Sequence, residues 1–237
     1  MSAPVFLADD VSGSRLVLDG AEGRHAAGAR RLAAGEAVDV VDGRGTRADC
    51  RVVQTTRDTV VLEVVGRRVE PVPAPRLVLV QALPKGDRGE LAVELATEVG
   101  VDEVVPWVAA RCVMQWKGER GDKQLARWRS TAREAGKQSR RAWTPEVAAL
   151  HTTDRLVARL AGATVLVLHE AAQVPLTQVP LPADGEVALV VGPEGGLTED
   201  ELARLGGTAV RLGPTVLRTS TAGAAALAVV SARTGRW

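Results

Sequence analysis

The 237-residue chain has few of the residues from which metal sites and disulfide frameworks are built. Its two cysteines, Cys50 and Cys112, form no CxxC pair or Cys/His cluster, and its three histidines lack metal-ligand spacing. We therefore expect a reduced, cytoplasmic protein without a metal ion. No segment resembles a signal peptide, and no apolar run approaches the roughly 18 residues of a membrane span, so we expect no membrane association.

The chain also lacks the motifs of several common enzyme classes. There is no GxxxxGK[ST] phosphate loop, no GxGxxG after the first strand with its later acid, and no GxSxG elbow. Hydrophobic residues at 46% and charged residues at 25% indicate an ordinary globular protein rather than a disordered one. The net charge of +1 predicts no partner, so the distribution of charge is more informative than its sum.

The N-terminal part has the pattern of short strands separated by turns, which predicts a small β-barrel. An insert at residues 23–32 carries Arg24, Arg30 and Arg31 and no acid, which suits either a solvated turn or nucleic-acid contact. The proline-rich segment 71–75 is stiff and cannot pair as a central strand. We therefore predict a domain at 1–70, a linker at 71–75 and a second domain at 76–237. The predicted strands are 5–7, 15–18, 37–41, 47–53 and 60–65.

After the linker, strands alternate with helices. This order predicts an α/β domain with a mostly parallel sheet and helices on both faces. Asp87, with Glu90 three residues later, predicts a capping box at the first helix. The predicted strands are 76–82, 103–108, 163–168, 187–191 and 208–212, and the predicted helices include a basic one at about 122–139 and an alanine-rich one at 220–233.

Positive charge is concentrated in residues 111–141, which contain ten Lys and Arg residues but three Asp and Glu residues. One interpretation is a solvated helix face with its tryptophans in the core. The other is contact with nucleic-acid phosphates, for which such a local excess is the expected electrostatic footprint. The cations in and after the helix are Lys117, Arg120, Lys123, Arg127, Arg129, Arg133, Lys137, Arg140 and Arg141.

A glycine-rich loop follows the buried strand 187–191. It reads GPEGGL at residues 192–197 and leads into Thr198 and Glu201, which have capping-box spacing. Loops between a strand end and a helix bind ligands in open α/β sheets. A lone loop of this kind is also explained by a tight turn, but LGPTVLRTSTAG at 212–223 occupies an equivalent place. With the residues after strand 163–168, we expect three segments to meet at one edge of the sheet.

Four ordered motifs, GPEGGL, LGPTVLRTSTA, LPKGDRGELAVELATEVGVDEVVP and EAGKQSRRAWTP, resemble the RsmE-type 16S ribosomal RNA uridine N3-methyltransferases of the SPOUT superfamily. The resemblance implies S-adenosylmethionine as methyl donor, a homodimer, a PUA-like N-terminal RNA-binding barrel and a trefoil knot in the C-terminal domain. It also implies 16S RNA, or the assembled small ribosomal subunit, as partner. The donor would be held by Leu168, His169, Glu170, Gly192, Pro193, Glu194, Gly195, Gly196, Leu197, Leu212, Gly213, Leu217, Arg218, Thr219 and Ala222.

The chain departs from the family pattern at two positions. Ser220 stands where the family usually has Glu, and Thr215 stands where Arg is common. We expect Ser220 to cap the last helix instead. These departures keep open an alternative function, a catalytically weak or inactive RNA-binding protein of the same fold. A nucleotide-binding α/β enzyme acting on a small substrate is a third hypothesis, against which the basic helix and the missing phosphate motifs argue.

Methylation at N3 requires the uracil to lose a proton, so preorganised cations should stabilise the resulting negative charge. Arg218 and Arg141 are the candidates for this catalytic role. Glu194 is a candidate for orienting the donor, accepting the proton or bracing its loop. The predicted RNA contacts are Arg24, Arg30, Arg31, Lys85, Arg133, Lys137, Arg140 and Arg141.

Overall fold

The computed structural model describes residues 3–237, and their contacts divide the chain into two units. The first unit extends to Val72 and also includes Gly136–Thr144. The second unit consists of Pro73–Ala135 and Pro145–Trp237. The single boundary predicted at residues 71–75 did not include the return of a short later segment to the first unit.

The first unit is built on a five-stranded sheet in the order β1-β3-β4-β5-β2. Strand β1 is parallel to β3, and the other neighbouring pairs are antiparallel. Alternate side chains of these strands form one core together with Ala26 and Leu32 of the insert. The elements are β1 (Val5–Leu7), β2 (Arg15–Leu18), α1 (Gly20–Arg24) continuing into a π-helical turn (His25–Ala29), β3 (Ala37–Val41), β4 (Thr46–Thr55) and β5 (Val60–Val69).

The second unit contains a seven-stranded sheet in the order β10-β12-β9-β11-β6-β7-β8. Every neighbouring pair is parallel, which confirms the predicted sheet type. Two strands of two residues each were not predicted, because so short a segment carries no periodicity. The strands are β6 (Arg76–Ala82), β7 (Glu103–Trp107), β8 (Glu146–Val147), β9 (Thr164–Leu168), β10 (Val174–Pro175), β11 (Glu186–Val191) and β12 (Thr208–Arg211).

Helices cover both faces of this sheet, as predicted. Leu77 and Leu79 of β6 pack with side chains of α2, α3 and α6, whereas Val78 and Val80 pack with side chains of α4 and α5. Successive side chains of a strand point to opposite faces, so the central strands are buried on both sides. The helices are α2 (Arg88–Glu98), α3 (Gly118–Gln138), α4 (Thr153–Arg159), α5 (Glu199–Leu205) and α6 (Thr219–Thr234).

Three predicted helix caps had different outcomes. The capping box of Thr198 and Glu201 at α5 is confirmed. Asp87 is the residue before α2, but its side chain accepts no capping hydrogen bond, so the box predicted there is wrong. The cap predicted at Ser220 is also wrong, because α6 begins at Thr219 with Arg218 before it, which places Ser220 on the buried face of the first turn.

Within residues 3–237, no helix is both long and apolar enough to cross a bilayer. The same range contains no group of three or more His, Cys, Asp or Glu side chains that could hold a metal ion.

A network of charged side chains links the amino ends of the central strands. Glu103 at the start of β7 accepts hydrogen bonds from Arg76 at 2.8 Å and Arg159 at 2.6 Å, and its side chain is only 6% exposed. Burial acts to raise the pKa of Glu103, but the two guanidinium groups together outweigh burial and hold that pKa below its ordinary value.

Replacing Glu103 by glutamine should therefore lower the free energy of unfolding at pH 7 by about 1–2 kcal/mol. A lowered folded-state pKa means that this stability is present above the ordinary value of 4.5 and is lost as pH falls through the folded-state pKa. Urea denaturation should show that the difference in unfolding free energy between Glu103→Gln and the wild type decreases below about pH 4.5. Glu146→Gln is the control, since Glu146 is exposed and 3.8 Å from Arg76. An equal loss of unfolding free energy in the Glu103 and Glu146 variants would contradict the prediction.

Candidate functional site

Three neighbouring strands bring the three predicted loop segments together. Strands β12, β9 and β11 are adjacent and parallel, so the loops after them leave the same edge of the sheet. These loops and the first residue of α2 line a cavity of about 640 Å³, which is within the size range of small-molecule sites. The lining residues are Arg88, Leu168, His169, Glu170, Val191, Gly192, Pro193, Glu194, Gly196, Leu197, Val210, Arg211, Leu212, Gly213, Pro214, Thr215, Val216, Leu217, Arg218, Thr219 and Ala222.

Of the predicted donor-binding residues, Gly195 is the one that does not line the cavity. Its carbonyl accepts a hydrogen bond from Nη1 of Arg111 at 3.0 Å. Two other predicted residues are also not among the lining residues: Arg141, which belongs to the first unit, and Lys85, which is exposed. The remaining donor-binding predictions are brought together at one place.

The glycine-rich loop needs glycine at specific positions. A Cβ atom at Gly192 would lie 2.9 Å from Cδ2 of Leu197, a buried side chain that lines the cavity. Gly196 has φ of 72°, a left-handed conformation that residues with a Cβ rarely adopt. The loop therefore folds back against its own Leu197 and presents backbone to the cavity.

Glu194 connects three loops at the cavity. Its Oε1 accepts hydrogen bonds from the backbone N–H of Lys85 and from Oγ1 of Thr219, each at 3.2 Å. Lys85 follows β6, Glu194 follows β11 and Thr219 follows β12. Within residues 3–237 the other carboxylate oxygen, Oε2, accepts no hydrogen bond, which leaves it available to a ligand.

Arg111 and Glu201 hold the glycine-rich loop from behind. Besides Gly195, Nη1 of Arg111 reaches the carbonyl of Leu197 at 3.4 Å. The buried carboxylate of Glu201 accepts from the backbone N–H of Ala110 at 2.7 Å and from Thr198 at 2.9 Å. Sequence reasoning missed Arg111, although its place after strand 103–108, at the same edge of the sheet as the other loops, was a usable signal.

Three arginines line the cavity, Arg88, Arg211 and Arg218. In the part of the chain that the structure describes, none of their guanidinium groups has a hydrogen-bond or ion-pair partner. Arg218 was predicted from its loop, and Arg88 was missed because a basic residue at a helix start has many explanations until the strand order is known. The cavity thus combines main-chain walls with positive charge that the fold itself does not neutralise.

His169 has a structural contact at the cavity. Its Nδ1 accepts a hydrogen bond from the backbone N–H of Ala171 at 3.2 Å, while its own backbone N–H donates to Val210 at 2.9 Å. His169 therefore shapes the turn after β9 and keeps β9 paired to β12.

Comparison with known families and structures agrees with this arrangement. A family model described as an RNA methyltransferase domain matches residues 71–231, and one described as an RNA methyltransferase PUA domain matches residues 18–65. The fold and the site are thus those of an RNA methyltransferase with a PUA domain.

The chain belongs to the ribosomal RNA small subunit methyltransferase E family, which confirms the resemblance carried by GPEGGL and LGPTVLRTSTA. It is 49% identical to that enzyme from Mycobacterium bovis over 100% of this chain and 94% of the relative. A crystal structure of the enzyme from Neisseria gonorrhoeae bound to S-adenosylmethionine superimposes with a TM-score of 0.87 at 25% identity, covering 98% of each chain. The structure of a Legionella pneumophila methyltransferase with the same cofactor superimposes with a TM-score of 0.87 at 26% identity, again with 98% of each chain covered.

Proposed function

We propose that this protein transfers a methyl group from S-adenosylmethionine to N3 of a uridine in 16S ribosomal RNA. The observation that carries the proposal is the cavity formed by the loops after β9, β11 and β12, in a chain similar over its whole length to ribosomal RNA methyltransferases. Two similar structures contain S-adenosylmethionine. N3 of uridine as the target atom rests on the family resemblance of the motifs.

The residues of the cavity fit this donor. Leu168, Leu197, Leu212 and Ala222 give apolar walls suited to an adenosine, and the loop glycines let main-chain N–H and C=O groups approach closely. When bound, the donor supplies an electrophilic methyl group on a positively charged sulfonium. We propose the predicted donor residues that line the cavity as its binding site, with Gly195 supporting the loop from outside the lining.

Arg218 is the residue that we propose to stabilise the reacting base. Removal of the N3 proton leaves negative charge on the uracil, and an unpaired guanidinium at the cavity would stabilise that charge. Arg88 and Arg211 are the other cations available there. Glu194 has one free carboxylate oxygen, so it can orient the donor or take up the proton while its other oxygen braces the loops. The uracil must be unstacked to enter such a pocket.

We propose that cations of each unit contact the RNA. Arg24, Arg30 and Arg31 belong to the insert of the first unit, and Lys85 and Arg133 belong to the second. Arg140 and Arg141 follow α3, and we propose Arg141 as an RNA contact rather than as a residue of the cavity. Lys137 is left out, because its ammonium group is occupied by Glu22 at 2.7 Å. Residues 1–70 would then be the RNA-binding domain, joined by 71–75 to the catalytic domain.

The family resemblance further supports a cytoplasmic homodimer with a knotted C-terminal domain. The sheet order is compatible with a knot, since β12 lies on the far side of β9 from β11 and α6 then returns to pack on β11. Exposed apolar side chains in the loop before α6, Val216 and Leu217, are available for contact with a second copy. The substrate would be free 16S RNA or the assembled small subunit.

The test is mass spectrometry of 16S RNA from a strain that lacks this gene, with and without the gene restored. One N3-methyluridine should disappear on deletion and return on restoration. Purified protein with labelled S-adenosylmethionine should also transfer label to free 16S RNA or to small subunits, which identifies the substrate form. Unchanged methyluridine in the deletion strain would refute the proposal, and RNA binding without transfer would favour the alternative of an inactive RNA-binding protein.

A further inference from the structure

Two arginines of the first unit have an unusual backbone conformation. Arg31, with φ of 52°, and Arg140, with φ of 59°, are the non-glycine residues with positive φ in the described range 3–237. Each lies two residues after the end of a helical segment, Ala29 in one case and Gln138 in the other. Helices often end with glycine in this left-handed conformation, because a Cβ atom there is sterically unfavourable. The fold alone gives no reason to prefer arginine to glycine at either position.

The backbone of Arg140 is held by a buried arginine of the same unit. Arg47 is 5% exposed and donates from Nη2 to the carbonyl of Arg140 at 2.6 Å. Its other nitrogens bind the carboxylates of Asp39 at 3.1 Å and Glu70 at 3.0 Å. A guanidinium fixed by two carboxylates cannot easily release the carbonyl, so the strained conformation of Arg140 is firmly held.

A second buried contact holds the segment that carries Arg31. Glu22 in α1 pairs with Lys137 near the end of α3 at 2.7 Å, and the two side chains are 14% and 9% exposed. After Arg31 the chain is closed by a hydrogen bond from the N–H of Leu32 to the carbonyl of Ala26 at 3.1 Å. Both strained arginines are thus attached to segments that buried charged groups fix within the first unit.

The side chains of both arginines are exposed and have no hydrogen-bond or ion-pair partner among residues 3–237. We infer that Arg31 and Arg140 contact RNA phosphates, and that Arg47 acts as a positioning residue for Arg140. This inference rests on the proposed function, since it takes RNA as the partner. Arginine is the side chain suited to bidentate phosphate contact, and here it replaces the residue that would give the more stable backbone.

The variants Arg31→Gly and Arg140→Gly separate this role from a structural one. Removing the strain should leave the melting temperature equal to or slightly above that of the wild type. Affinity for a fragment of 16S RNA should fall roughly tenfold in each variant, and the slope of log affinity against log salt should fall by about 1. KM for RNA should rise with kcat unchanged, because a contact made equally in ground and transition states is lost.

Three matched variants serve as controls, and a fourth tests the positioning role of Arg47. Arg31→Lys and Arg140→Lys keep the charge and the strained backbone but lose bidentate contact, so RNA affinity should fall less than in the glycine variants and the salt slope should stay close to that of the wild type. Arg15→Gln removes an exposed arginine from β2 and should leave the salt slope unchanged. Arg47→Lys should weaken RNA binding in the wild-type background but have no further effect on it in Arg140→Gly, as expected if Arg47 acts through Arg140.

Glycine variants with lower melting temperature and wild-type RNA affinity would overturn the inference, because the arginines would then stabilise the helix ends. Wild-type protein that bound RNA but transferred no methyl group would refute the proposed function, while the binding comparison among variants would still decide this inference. Wild-type protein without salt-dependent RNA binding would refute both.

Discussion

Replacing Arg218 by alanine is expected to lower kcat for methyl transfer by about 10²–10³-fold, the usual loss when one preorganised group that stabilises developing charge is removed. Arg218 lies directly before α6 and lines the cavity, and its guanidinium has no partner within residues 3–237 that would compete with a ligand. Affinity for S-adenosylmethionine should fall much less than kcat, because most of the proposed donor contacts, including the main-chain walls of the cavity, remain in place. Single-turnover methylation and calorimetry with the donor measure the two effects separately.

The pH dependence adds a readout that a merely structural role would not produce. If Arg218 stabilises the deprotonated uracil, a higher pH should partly compensate for its removal. The loss of methyl-transfer rate in Arg218→Ala should therefore become smaller as pH rises. Arg218→Lys should retain part of the activity, and Arg155→Ala, an exposed arginine of α4 outside the cavity, should be fully active. Wild-type rates in Arg218→Ala would remove the assigned role and leave Arg88 and Arg211 as the remaining candidates.

The strands of this fold could be predicted because each is a local pattern. Apolar runs and alternation gave β6 with the observed limits, and the parallel sheet followed from the order of strands and helices. The site loops were predictable for a related reason. A strand end followed by glycine and a helix cap is visible in the sequence, and parallel strands place such loops at one edge.

Contacts between distant residues could not be predicted in this way. Arg111 supports a loop 84 residues later, and Arg47 holds the carbonyl of a residue 93 positions away. Arg88 became a cavity residue only once the order β9-β11-β6 was known. For Lys137, composition suggested an RNA contact, whereas pairing with Glu22 depends on the return of 136–144 to the first unit.

The glycine-rich loop gives the second large effect. Replacing Gly192 by alanine should weaken S-adenosylmethionine binding by roughly 10- to 100-fold, since overpacking of this kind costs about 1–3 kcal/mol. The new methyl group would lie 2.9 Å from Cδ2 of Leu197, and relief of that clash moves a lining side chain. Equilibrium titration with S-adenosylmethionine measures the loss directly, and urea denaturation measures the accompanying change in unfolding free energy.

A second substitution tests whether Leu197 is the cause. Leu197→Ala removes the atoms that the methyl group at position 192 would meet, so the double variant should bind S-adenosylmethionine more tightly than Gly192→Ala alone. Gly213→Ala is the matched comparison, because Gly213 lines the same cavity but has nothing within 4 Å of an added Cβ, so Gly213→Ala should weaken donor binding less than Gly192→Ala does. Equal losses at positions 192 and 213 would show that any methyl group in the cavity blocks the donor. Absence of rescue by Leu197→Ala would instead assign the effect to the loop backbone, and in either case the contact between Gly192 and Leu197 would lose the role proposed for it.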